Sequence, residues 1–178
     1  MARRIFSFDA PDRFVAGAMG EPGDRTFYLQ ARKGDAVVSV ALEKAQVAAL
    51  AGRLSELLQA VGDEETSSEA ANRDDAPLDE PLTEMFRVGV MALAWEPSSE
   101  RVVIEAQPQS EDGDYVEAAD EAADGPDLIR VKIAPDHARE FVRRAAVLVA
   151  AGRPLCPFCG QPLEPTGHFC TRTNGQMN

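Results

Sequence analysis

Cysteine, histidine and tryptophan are scarce in this chain of 178 residues, which holds three, two and one of them respectively. All the cysteines lie between positions 156 and 170. An odd number confined to one tail excludes a disulfide framework across the chain and fits a metal site in a reducing compartment. Long apolar runs are missing too. The longest, Val88 to Trp95 and Ala145 to Ala151, fall far short of the roughly 20 residues of a membrane-spanning helix. Near the N-terminus, Asp9, Pro11, Asp12 and Arg13 interrupt any stretch of the about 7–15 apolar residues that a secretory signal needs. The expectation is a cytoplasmic protein with no membrane partner. Phosphate-cradling and nucleophile-elbow motifs are also absent. No Gly-x-Gly-x-x-Gly follows a strand pattern, no P-loop occurs, and no serine sits in a Gly-x-Ser-x-Gly turn.

Basic residues are outnumbered, 18 Lys and Arg against 30 Asp and Glu, giving a net charge of -12. The excess is local. Asp63 to Asp124 holds 19 acidic and 3 basic residues, a net of -16, so the rest of the chain sums to +4. An acidic surface repels phosphate, which argues against a nucleic-acid partner. The length and a 44% hydrophobic share suit one domain with a small appendage. The expected division is an α+β domain over 1–153 and a metal-binding tail over 154–178.

Hydrophobic periodicity sets the elements. Arg4 to Phe8 and Arg13 to Met19 are short apolar runs parted by turn residues. Phe27, Leu29 and Ala31 alternate with Tyr28, Gln30 and Arg32, the pattern of a strand with one buried face, and Lys33-Gly34-Asp35 returns it onto Val37 to Leu42. From Glu43 the period lengthens. Val47, Leu50, Leu54, Leu57, Leu58 and Val61 share one helical face, and Gly62 suits the left-handed conformation at a helix end. Phe86 to Trp95 is apolar on both alternating sets, which predicts a central strand covered on both faces. Arg101 to Ala106 and Leu128 to Ile133 read as strands, and Pro135 to Ala151 as a second amphipathic helix with proline at its first turn. Two acidic segments, about 63–81 and 109–126, have too little apolar surface to offset ordering entropy and are expected to be flexible. The resulting fold class is α+β, antiparallel strands with two packed helices and a C-terminal zinc-ribbon-like tail.

A shift of 91 positions superimposes the two halves. Val38, Val40 and Leu42 fall on Ile129, Val131 and Ile133, and Val47, Leu50, Leu54, Leu57 and Leu58 fall on Ala138, Phe141, Ala145, Leu148 and Val149. The pattern is that of a tandem strand–helix duplication, or of two strand–helix pairs converging on similar cores.

The tail carries the sharpest chemistry. Cys156-Pro157-Phe158-Cys159-Gly160 places two thiols on one turn with glycine after the second, and His168 and Cys170 are two apart, so on extended chain both point the same way. Pro162, Pro165 and Gly167 allow a short hairpin between the pairs. Cys156, Cys159, His168 and Cys170 are therefore the candidate ligands of one structural Zn2+, a closed tetrahedral set with no position for substrate. The first pair is the stronger signal. A redox pair, metal-free thiols, or a different fourth ligand are the competing readings.

Little else is chemically specific. Asp136 and His137 are neighbours on a helix and do not face each other, so a solvated helix start outranks a general base. Arg139, Arg143 and Arg144 form a basic helical stripe, for which a solvated face outranks an acidic partner, a phosphate or the chain's own acidic segments.

The segment Arg4-Ile5-Phe6-Ser7-Phe8 followed by Asp9, Pro11, Asp12, Arg13 and Phe14, the strand Phe27-Tyr28-Leu29-Gln30-Ala31, and the closing Cys-Pro-x-Cys-Gly, Gly-His-x-Cys and Asn174-Gly175 resemble one uncharacterised actinobacterial family. It is the domain of unknown function numbered three thousand and ninety. The resemblance covers the whole chain, the acidic segments least. It implies a cytoplasmic protein without assigned catalysis, encoded beside the mycothiol cysteine ligase, a histidine-phosphatase-like protein and a lipid-kinase-like protein. It transfers the four ligands and no catalytic residue. The functional expectation is a zinc-stabilised adaptor or regulator that binds another protein. An enzyme acting on a phosphorylated or thiol-linked small molecule, and a nucleic-acid-binding zinc protein, are the alternatives.

Overall fold

In the computed structural model, which describes residues 2–21, 23–62, 73–111, 113, 124–152, 156–161, 163, 168–170 and 172, the period-2 runs become seven strands and the longer-period runs two helices. In chain order these are β1 (Ile5–Asp9), β2 (Arg13–Met19), β3 (Thr26–Lys33), β4 (Ala36–Leu42), α1 (Lys44–Ala60), β5 (Glu84–Glu96), β6 (Arg101–Pro108), β7 (Leu128–Ile133) and α2 (Pro135–Ala150). Gly62 sits at φ 73, as expected of a residue closing a helix, and Pro135 opens α2. Among the described residues no helix is long and apolar enough to cross a membrane.

The strands form one sheet in the order β1-β7-β6-β5-β4-β3-β2. The expected antiparallel pattern holds only in part. β2-β3-β4 and β5-β6-β7 are antiparallel meanders, but β4 pairs β5 in parallel and β1 pairs β7 in parallel. The reason is the long crossover through α1, which returns the chain to start β5 in the direction of β4. Each meander is followed by a helix, and β1 is the additional strand of the first half.

β1 and β2 lie at opposite ends of the strand order, yet only Ala10, Pro11 and Asp12 separate them. The sheet must therefore curl until its edges approach. The Ala10 N–H donates to Lys132 O at 3.0 Å and the Asp12 N–H to Arg32 O at 2.8 Å, tying this turn to both sides of the seam.

The concave face holds the core. Val40 and Leu42 from β4, Val102, Ile104 and Ala106 from β6, and Ile129, Val131 and Ile133 from β7 are buried against Val47, Leu50 and Leu54 of α1 and Ala138, Phe141 and Ala145 of α2. Positions related by the shift of 91 thus occupy matching places in one core. The helices pack on each other, and α2 also lies on β2, where the Phe14 and Phe141 rings stack with centroids 4.9 Å apart and an interplanar angle of 11°.

Two expectations require correction. β5 is central in the strand order but is not covered on both faces, since only Val88 along it is buried. The register shifts between Val88 and Val90, and a groove separates α1 from the strand, so Met91 and Leu93 stay half-exposed. Gln46 bridges this gap, its Nε2 donating to Val88 O at 3.1 Å. The second correction concerns the acidic segment about 63–81. Residues 63–72 lie outside the described ones, but 73–81 form an extended strap that runs from α2 over the edge of β2 onto the outer face of β2 and β3. Leu78 is 8% exposed, and side chains of the folded domain compensate the strap's charge. Most of 109–126 lies outside the described residues. Its end is fixed: Asp124 bridges Ala2, the Arg3 Nε donates to Pro126 O at 3.0 Å, and Arg4 pairs with Asp127.

Candidate metal centre

Beyond α2 the chain enters the cysteine turn. The Cys156 N–H donates to Gln161 O at 2.8 Å, and the Gly160 N–H donates back to Cys156 O at 2.9 Å. Gly160 adopts φ 75, which a residue with Cβ rarely does, so glycine is required just after the second thiol. The loop folds both sulfurs to one side. His168 and Cys170 meet them from the following segment of the tail.

The ligand atoms of Cys156, Cys159, His168 and Cys170 all lie within 4.8 Å of one another. Cys156 Sγ and Cys170 Sγ are 3.8 Å apart, and Cys159 Sγ lies 3.1 Å from His168 Nε2. A tetrahedron with metal–sulfur bonds of about 2.3 Å has sulfur–sulfur edges of about 3.8 Å. The thiol pair already has that spacing, and the imidazole presents Nε2 to the same centre. Cys156 and Cys170 are 2% and 0% exposed, while Cys159 and His168 are half-buried. The Cys159 thiol is pushed above its ordinary range. The Gln161 backbone favours its thiolate, but burial and the sulfurs of Cys156 and Cys170 outweigh that contact. Three sulfurs this close ionise together only around a cation. The donor set therefore fits one tetrahedral soft-to-borderline metal with no open coordination position. The hairpin residues Pro162, Pro165 and Gly167 lie outside the described residues.

The residues between the ligands point outward. Phe158 is 54% exposed and Phe169 is 67% exposed, and these are the exposed large aromatic side chains among the described residues. Each is adjacent in sequence to a ligand whose side chain is turned inward.

The other candidates fall elsewhere. At the start of α2 the Asp136 Oδ1 accepts the His137 backbone N–H at 2.9 Å. The half-buried His137 lines a small cleft with Asp12, Arg13, Asp74 and Glu140. The basic stripe is not the solvated face expected: Arg139 is half-buried, and Arg143 and Arg144 reach the chain's own acidic strap, whose carboxylates and carbonyls outcompete water for the guanidinium groups. Arg143 donates to Asp75 Oδ1 at 2.8 Å and to Glu140 on its own helix. Arg144 donates to Ala16 O, Asp74 O and Ala76 O at 2.8, 2.9 and 2.7 Å.

Arg13, to which the sequence assigned no binding role, is the centre of this network. It is 8% exposed and holds both oxygens of Asp74, with Nε–Oδ2 at 2.6 Å and Nη2–Oδ1 at 3.0 Å. Its remaining donors take Ala76 O, Pro77 O and Asp79 Oδ2. The Arg13 contact holds the Asp74 carboxyl below its ordinary range, against the opposing effect of burial. Burial lowers the pKa of Arg144. No local pattern marks Arg13, because its partners are 61 to 66 residues away.

A family model described as "Protein of unknown function (DUF3090)" matches residues 6–170, and the chain belongs to that family. No curated protein and no solved structure matches the chain.

Proposed function

We propose that this protein is a cytoplasmic, non-catalytic adaptor or regulator, stabilised by one structural Zn2+, that binds another protein through its metal-organised tail. The observation that carries the reading is the pairing of a closed donor set with exposed aromatics. Cys156, Cys159, His168 and Cys170 would hold the ion, and their convergence turns Phe158 and Phe169 to solvent. Zinc supplies here the folding free energy of a segment with almost no core of its own, on the order of 10–16 kcal/mol in isolated finger peptides. Aromatic side chains fixed in exposed positions are the residues that most often anchor protein interfaces.

The test has two parts. Tag-free protein purified without chelator should carry about one zinc per chain, and Cys170→Ser should lose it. Cross-linking in native lysate should then map a partner to the tail in the wild type, and Phe158→Ser with Phe169→Ser should abolish that cross-link at unchanged zinc content. Metal-free protein, or cross-links indifferent to both phenylalanines, would end the proposal.

A second reading, an enzyme acting on a phosphorylated or thiol-linked small molecule, draws support from the cleft that His137 shares with Arg13. The guanidinium groups of Arg13, Arg143 and Arg144 are engaged by Asp74 and Asp75, so a phosphorylated substrate would first have to displace the strap.

A further inference from the structure

The strap from Arg73 to Asp79 contacts the sheet in the manner of a bound peptide. Its backbone is gripped by side chains. Gln30, 1% exposed, pairs with both backbone groups of Asp79: its Oε1 accepts the Asp79 N–H at 2.7 Å, and its Nε2 donates to Asp79 O at 3.0 Å. Arg13 and Arg144 both donate to Ala76 O, Arg13 also to Pro77 O, and Glu140 accepts the Asp74 N–H at 2.8 Å. An amide side chain bonded to both backbone groups of one residue recognises extended chain regardless of that residue's type.

Side-chain selectivity is built in as well. Asp74 is held by the Arg13 fork, a bidentate geometry that reads a carboxylate. Asp79 is shared between Arg13 and Arg32, with contacts of 3.2 and 3.1 Å. Leu78 drops into a notch on β2 that exists because position 17 is glycine; a Cβ there would lie 2.6 Å from the leucine side chain. Between Gly62 and Arg73, the sequence from Asp63 to Asn72 contains no apolar residue larger than alanine.

We propose that the surface running from α2 across the free edge of β2 onto the outer face of β2 and β3 is a recognition groove for an extended acidic peptide of the form Asp-x-x-Pro-Leu-Asp. The chain's own strap is its intramolecular ligand. A partner protein carrying such a segment engages the groove when the strap lifts away. A tethered segment holds its site at an effective concentration of roughly millimolar. For the strap to be the resident occupant, the same peptide supplied in trans must bind the vacated groove with a Kd below about 1 mM. This groove is independent of the metal centre, and its test needs neither zinc-dependent docking nor a known partner.

The strap is emptied by the triple substitution Asp74→Ala, Leu78→Gly and Asp79→Ala in the full chain. A fluorescent peptide spanning Arg73–Glu80 is then titrated by anisotropy. Sub-millimolar binding is expected, weakened at least tenfold by adding Arg13→Gln to the emptied chain and by replacing leucine with serine in the peptide. A folded, emptied chain that fails to bind the peptide overturns the proposal, as does binding indifferent to Arg13. Hydrogen exchange on the unaltered protein keeps the test decisive if the triple variant does not fold. The amides of Asp74, Ala76 and Asp79 bond to side chains rather than to the ladder. They should exchange at least tenfold faster than the β2–β3 ladder amides. Exchange only together with that ladder would make the strap an integral part of the sheet and would also overturn the proposal.

Discussion

Leu78 fills the space that a Cβ on Gly17 would occupy, with its Cγ and Cδ2 both 2.6 Å from that point. The leucine comes from the strap and the glycine from β2, so the two residues form a lock between sequence-distant segments. Gly17→Ala is expected to destabilise the fold by about 1–3 kcal/mol through overpacking. Leu78→Ala should cost about 2–3 kcal/mol. Once Leu78 is shortened, the added methyl has room, so the cost of Gly17→Ala should largely vanish in the Leu78→Ala background. Urea unfolding of the four proteins measures this coupling, and simple additivity would contradict the packing described.

Phe141 is the largest fully buried side chain among the described residues and stacks on Phe14, which joins α2 to β2 across the core. Phe141→Ala should cost about 3–5 kcal/mol. The loss should show as a lower denaturant midpoint at nearly unchanged slope, because the sheet remains intact. A cost below about 1 kcal/mol would mean the site collapses freely, against the close packing seen here.

Metal removal should unfold the tail and spare the sheet. All four ligands lie between positions 156 and 170, whereas the core cluster is built from β1 to β7 with both helices. Chelation is expected to expose three reactive thiols per chain while the main thermal transition keeps its midpoint. Loss of the main transition on chelation would show instead that zinc holds the whole fold.

Acid should loosen the strap. Arg13 holds the Asp74 carboxyl below its ordinary value of 3.8, so this pairing contributes stability that is complete above that value. The contribution is lost as pH falls through the lower, folded-state value. Asp74→Asn should therefore destabilise the protein at neutral pH, and the gap from the wild type should narrow below about pH 4. Denaturant midpoints of both proteins across this range test the sign. A gap that widens on acidification would exclude the assignment.

Both acid-rich segments return to the sheet through arginines, the first at Arg13 and Arg144, the second at Arg3 and Arg4. Composition predicted flexibility through residue 81 because three aspartates with one leucine bury little by themselves. What fixes 73–81 is a set of donors on β2, β3 and α2, and none of them is near in sequence. The basic stripe on α2 was legible as a stripe with the chain's own acidic segments among its possible occupants, but spacing could not choose them over solvent.

The sequence by itself determined the local elements and picked out the four residues that the fold gathers into a candidate metal site, because both follow from short spacings. Alternation marked β3, the longer period marked α1 and α2, the shift of 91 matched core positions in the two halves, and the cysteine turn with its His-x-Cys partner marked the donors. Tertiary structure alone decided the parallel pairings β4–β5 and β1–β7, the curled seam, the groove beside β5 and the seat of the strap. Periodicity reports which face of an element is buried and is silent on what buries it. Strand partners and long-range ion pairs are chosen by the whole chain's competition for burial and for hydrogen bonds, and that competition leaves no mark on any short stretch of sequence.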